Sequence, residues 1–84
     1  MGVRTYLFVF KGDVLIGEFK LFETPTLISW DIVAADNNEE RYQIYLKYIK
    51  SKYHVDDVEY HLKKLNRWVE VCIRENLHIE WQVY

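Results

Sequence analysis

Two apolar stripes at helical spacing, set one after the other over residues 36–76, constrain this chain more than any other feature. Tyr42, Tyr45, Leu46, Ile49 and Tyr53 recur three and four residues apart and form one face of a first helix. Val58, Leu62, Leu65, Val69, Cys72 and Ile73 do the same for a second. Asp36, Asn37 and Asn38 supply N-cap residues for the first helix, and Glu39 and Glu40 suit the positive end of its dipole. Asp56 followed by Glu59 has the form of a capping box, Val55 and Tyr60 are placed as a hydrophobic staple, and Asn76 suits the far end. The three-residue link predicts an antiparallel helical hairpin. Such a hairpin must bury its stripes against a second layer, and only the flanking segments can supply one.

Those segments repeat with period two. Residues 3–10 and 14–23 flank Lys11-Gly12-Asp13 and predict a β-hairpin. An even-numbered loop puts Tyr6, Phe8 and Phe10 on one face with Leu15, Phe19 and Leu21, the expected core side. Val3, Thr5, Leu7, Val9, Ile16, Glu18, Lys20 and Phe22 then face outward. Thr24-Pro25-Thr26 breaks the strand, since Pro25 has no N–H for a ladder. Residues 27–34 set Ile28, Trp30 and Ile32 against Ser29 and Asp31, which predicts a third strand. Residues 77–84 predict a fourth, with Ile79, Trp81 and Val83 inward and His78, Glu80, Gln82 and Tyr84 outward. The expectation is one α+β domain over residues 1–84: a two-layer β-β-β-α-α-β arrangement, with a mainly antiparallel four-stranded sheet covered on one face by a helical hairpin. At 84 residues the chain has room for one core, and its 17% aromatic content provides large side chains to fill it.

Catalytic constellations are missing. Cys72, the single cysteine, shares a helix with His61, but eleven residues of rise place them about 16 Å apart. Its place in the apolar stripe fits a small buried hydrophobe. Asp57 and His61 are four apart, with His54 nearby, but no second cluster of ligands supports a metal site, and none is expected. The paired acids Glu39-Glu40 and Asp56-Asp57 fall at helix starts, where capping explains them. Gly2, Gly12 and Gly17 make no phosphate-binding loop, so no cofactor is expected. The run Tyr6–Phe10 is too short to span a bilayer and is ended by Lys11, and Tyr6 stands where a myristoylation motif needs Ser or Thr. A cytoplasmic protein that is not an enzyme is the expectation.

Surfaces say more. Residues 47–67 hold six basic and three acidic side chains, net +3, and the remainder holds five and ten, net −5. The chain is expected to be basic at the helical hairpin and acidic over the open sheet face. Ile44 and Tyr48 on the first helix, Tyr60, Trp68 and Val71 on the second, and Leu7, Val9, Ile16, Phe22 and Tyr84 on the sheet are all expected to lie off the core stripes. The leading expectation is a protein-binding module (adaptor, small subunit or inhibitor) whose Glu18, Asp31 and Glu80, rimmed by Phe22 and Tyr84, dock on a basic partner surface. Small phage or mobile-element inhibitors offer a functional analogy. The alternative is nucleic-acid binding through Lys47, Lys50, Lys63, Lys64 and Arg67, with Tyr48 or Trp68 stacking on bases. A structural homodimer is the further alternative.

Overall fold

The computed structural model describes residues 2–84. The fold is α+β, with a three-stranded antiparallel sheet, a separate pair of two-residue strands and three helices. The short pair is β1 (Gly2–Val3) with β4 (Thr24–Pro25). The sheet holds β2 (Thr5–Lys11), β3 (Val14–Lys20) and β5 (His78–Val83) in the order β3-β2-β5. The helices are α1 (Thr26–Ala34), α2 (Asn38–Lys52) and α3 (Val55–Arg74).

The hairpin forms where the sequence puts it, closed by Lys11 opposite Val14. Gly12 has φ 62° and Asp13 a negative φ, the type II′ pattern that matches strand twist. The faces are the reverse of the expectation on β2. Thr5, Leu7 and Val9 are buried, whereas Tyr6, Phe8 and Phe10 lie half-buried on the outer side. The cause is one bulge. Phe10 pairs with Leu15 but Val9 pairs with Gly17, so Ile16 is an extra residue in β3. The slip moves every later residue of β3 to the other face relative to β2. Phe19 therefore sits opposite Leu7 on the inner side, and Glu18 opposite Phe8 on the outer. Gly17 belongs at this crossing, because a Cβ there would lie 3.2 Å from Val9 Cγ1.

The expected third strand is helix α1, so the sheet has three strands where four were expected. The segment Thr26–Ala34 carries almost no amphipathic bias, and its alternation suits either period. Tertiary contacts decide for the helix. Ser29 Oγ bonds Thr24 Oγ1 at 2.6 Å and donates to Pro25 O at 3.1 Å, pinning the first turn. At the other end Arg41 of α2 donates Nε–H to Ile32 O at 3.2 Å and a second N–H to Ala35 O at 2.9 Å. These cap terminal carbonyls that a short helix cannot satisfy alone.

Helix α2 begins as read: Asn37 is its N-cap and accepts from Glu40 N–H at 2.9 Å, and Glu40 accepts from Asp36 N–H at 2.9 Å. Helix α3 starts one residue before the predicted cap. His54 takes the N-cap role and accepts from Asp56 N–H through Nδ1 at 3.2 Å, leaving Asp56 and Asp57 in the first turn. Asn76 ends α3 in the left-handed region at φ 56°. Leu77 N–H reaches Cys72 O at 2.8 Å and Asn76 N–H reaches Ile73 O at 3.0 Å, which completes a Schellman motif.

Leu7 and Leu21 from the hairpin segment, Ile32 from α1, Tyr45 and Ile49 from α2 and Val58 and Leu65 from α3 form the core cluster. Ile79, Trp81 and Val83 of β5 pack against it, as the alternation predicted. Several residues expected outside belong to this core. Leu7 and Val9 are buried, and Phe22, Ile44, Tyr48 and Trp68 are partly buried against the cluster. Ile44 is covered because α1, read as a strand, packs beside α2. Ile73, assigned to the core stripe, is exposed at the last turn of α3.

Candidate protein-binding surface

Helix α1 is apolar around its circumference, with Asp31 its only charged residue, and only one side of it is covered. Ile32 is fully buried, Ser29 is buried and Ile28 packs against the core. The turn spacing then sends Leu27, Trp30 and Val33 outward, where they are 78%, 66% and 56% exposed. Trp30 and Val33 form a groove with Val3, Val83 and Tyr84. Its walls are mostly apolar. A contiguous exposed group of this kind on a small protein marks an interaction surface far more often than scattered single residues do.

Tyr84 links this groove to the open sheet face. Its ring meets Tyr6 edge-on at 5.8 Å, and Tyr6 leads along β2 to Phe8 and Phe10. Glu18 and Glu80 stand on either side of Phe8 as its cross-strand neighbours. His78 flanks Phe10, with ring centroids 6.4 Å apart, and its Nε2 lies 3.3 Å from Glu80 Oε1. On its other flank α1 borders a concavity that includes Asp31, Glu39 and Glu40. Arg41 is turned into the capping of α1 and is not among the residues that line this concavity. Apolar anchors with an acidic flank are the result.

The residues singled out from sequence separate in space. Glu18, Glu80 and Tyr84 do lie on the outer side of the sheet. Asp31 does not, because it rides on α1. Phe22 points inward and stacks on His61 at 4.2 Å with the rings inclined by 22°. The three acids expected to form one face therefore divide between two elements. Of the basic set, Lys47 and Lys50 are exposed on α2 and Lys63, Lys64 and Arg67 on α3. Their intended stacking partners are occupied. Trp68 lies 5.5 Å from Phe19, and Tyr48 meets Tyr53 edge-on at 6.5 Å. The exposed triad of α1 escaped notice because a strand reading puts Trp30 inside. A helical reading of 27–33 would have found it at spacing i, i+3, i+6.

One buried polar cluster lies beneath the surface. Tyr45 is fully buried, its hydroxyl accepts from Phe22 N–H at 2.9 Å, and the same oxygen lies 2.7 Å from His61 Nε2. In that contact either group can donate, according to the imidazole tautomer. Burial pushes the His61 pKa down and the Tyr45 pKa up, so both are held neutral. Cys72 is buried and its thiol is pushed up for the same reason, away from a nucleophile's range. Among the described residues no three His, Cys, Asp or Glu side chains come together as a metal site. No described helix is long and apolar enough to cross a membrane.

Comparison with known proteins returns no match to a family model, to a curated protein or to a solved structure.

Proposed function

We propose that this chain is a small protein-binding module without catalysis of its own, working as an adaptor, a subunit or an inhibitor. The observation that carries this reading is the outward face of α1, where Leu27, Trp30 and Val33 stand exposed beside the acidic flank of Asp31, Glu39 and Glu40. Burying three such side chains is worth on the order of 5 kcal/mol before the cost of association. Apolar contact alone is therefore modest, and the acids select a partner with a basic rim around an apolar ridge. The acidic surface assigned to the sheet moves to α1, with Tyr84 and the open sheet face as its continuation.

A pulldown with the tagged chain tests this, run with and without nuclease beside two variants whose far-UV circular dichroism is unchanged. Leu27→Asp/Trp30→Asp removes the anchors, and Asp31→Lys/Glu39→Lys reverses the flank. The expected result is a protein retained by the wild type after nuclease treatment and lost from both variants. The same protein retained by both variants would overturn the reading. Nucleic acid eluting with salt would assign function to Lys47, Lys50, Lys63, Lys64 and Arg67 instead.

A further inference from the structure

The two edges of the sheet are treated differently. Along β5, Asn38 donates its side-chain N–H to Ile79 O at 3.2 Å, and α1 lies beside the strand. The edge of β3 has no strand paired with it on its far side among the described residues, and α3 flanks it only across a groove. Leu21 donates its N–H to Thr5 O at 2.9 Å, so the odd-numbered residues from Gly17 on turn their main-chain groups toward β2. Glu18 and Lys20 turn theirs outward. The bulge at Ile16-Gly17 interrupts the alternation and limits the usable edge to this short segment.

Charges on an edge strand ordinarily keep other strands away. Here the two have opposite signs and sit two residues apart on the same face. Read antiparallel, Glu18-Phe19-Lys20 is its own complement: a second copy centred on Phe19 sets Glu18 opposite Lys20 and Lys20 opposite Glu18. Helix α3 flanks this edge. Asp57, Tyr60 and Lys64 of α3 line the groove beside Glu18 and Lys20, and Phe19 lies 5.9 Å from the His61 ring. Phe19 sits between His61 and Trp68, whose ring is 5.5 Å from its own, so a two-fold axis through Phe19 passes beside the middle of α3. Tyr60 is 63% exposed there, with Lys64 Nζ 4.6 Å from its ring centroid.

We infer that two copies of this chain associate through their β3 edges, forming a continuous six-stranded antiparallel sheet with the α3 helices side by side. The interface lies away from the α1 groove, so a dimer carries two copies of that surface. Sedimentation equilibrium at low salt, with wild type, Glu18→Lys, Lys20→Glu and the double variant, tests the proposal. Both substitutions are on exposed side chains, and circular dichroism checks each fold. Wild type is expected to dimerise reversibly. Each single reversal opposes like charges twice across the axis and weakens association about tenfold or more. The double variant restores the pairing with its order exchanged, and a mixture of the two single variants forms a heterodimer. A wild type that stays monomeric at the highest soluble concentration overturns the proposal, as does a dimer that both single variants leave undiminished. Loss of the dimer in Leu27→Asp/Trp30→Asp but not in the charge variants overturns it too, by moving the contact to α1.

Discussion

Removing one oxygen from the core gives the sharpest test of the packing described above. In Tyr45→Phe the ring remains in place and only the hydroxyl is lost. That hydroxyl accepts from Phe22 N–H at 2.9 Å and satisfies His61 Nε2 at 2.7 Å. Two hydrogen bonds disappear, at about 1 kcal/mol each, and Phe22 N–H and His61 Nε2 are left without a partner in a site nearly closed to water, so the total cost is about 2–4 kcal/mol. Urea unfolding followed by tryptophan fluorescence should show a lower midpoint with an unchanged slope. The melting temperature should fall by about 10–20 °C for a domain of this size. Adding His61→Leu should cost less than the sum of the single effects, because it removes the orphaned nitrogen as well. The same pair sets an acid limit. Burial lowers the His61 pKa in the folded chain below its ordinary 6.5. Below that pH the unfolded chain binds a proton that the folded chain refuses, so stability falls as the pH falls. The slope from this group approaches about 1.4 kcal/mol per pH unit within the window between the two values. Above the unfolded pKa its contribution is constant. A Tyr45→Phe cost below about 0.5 kcal/mol would refute the reasoning, since it would mean that water satisfies both groups at no penalty.

Other positions give narrower expectations. Thr5 Oγ1 is buried with no hydrogen-bond partner among the described residues, so Thr5→Val should keep the shape and raise stability by about 1 kcal/mol in urea titration. Asn76 holds φ 56° at the end of α3, and Asn76→Ala should cost about 1 kcal/mol by the same assay while Asn76→Gly costs nothing. Gly17→Ala places a methyl 3.2 Å from Val9 Cγ1 at the bulge; it should lower the midpoint by about 1 kcal/mol, and less in a Val9→Ala background. Asn37→Ala deletes the cap bond to Glu40 N–H and should cost about 1 kcal/mol, measurable as a loss of thermal stability.

What the local pattern determined is the set of elements with one strong period. The stripes of α2 and α3 repeat over several turns, and turn residues or cap residues mark their ends, so their residues could be assigned with little reference to anything else. The alternation of β5 was equally legible, because strand pairing against β2 requires Ile79, Trp81 and Val83 on one side. The turn at Gly12-Asp13 was legible for a related reason: few residues tolerate the positive φ that a tight hairpin needs. Tertiary structure decided the rest. Residues 27–34 satisfy both periods, and the choice fell to Ser29 against Thr24 and to Arg41 reaching back over the last carbonyls of α1, contacts made by residues outside the helix. The core face of the hairpin turned on one extra residue, Ile16, because a side-chain period of two converts a one-residue slip into an exchange of faces. That slip sets Phe19, read as inward from the sequence, opposite Leu7 instead of Tyr6 and turns the main chain of Glu18 and Lys20 to the free edge. The α1 surface and the β3 edge thus both depend on contacts distant in sequence, whereas helix stripes depend on neighbours three and four residues away.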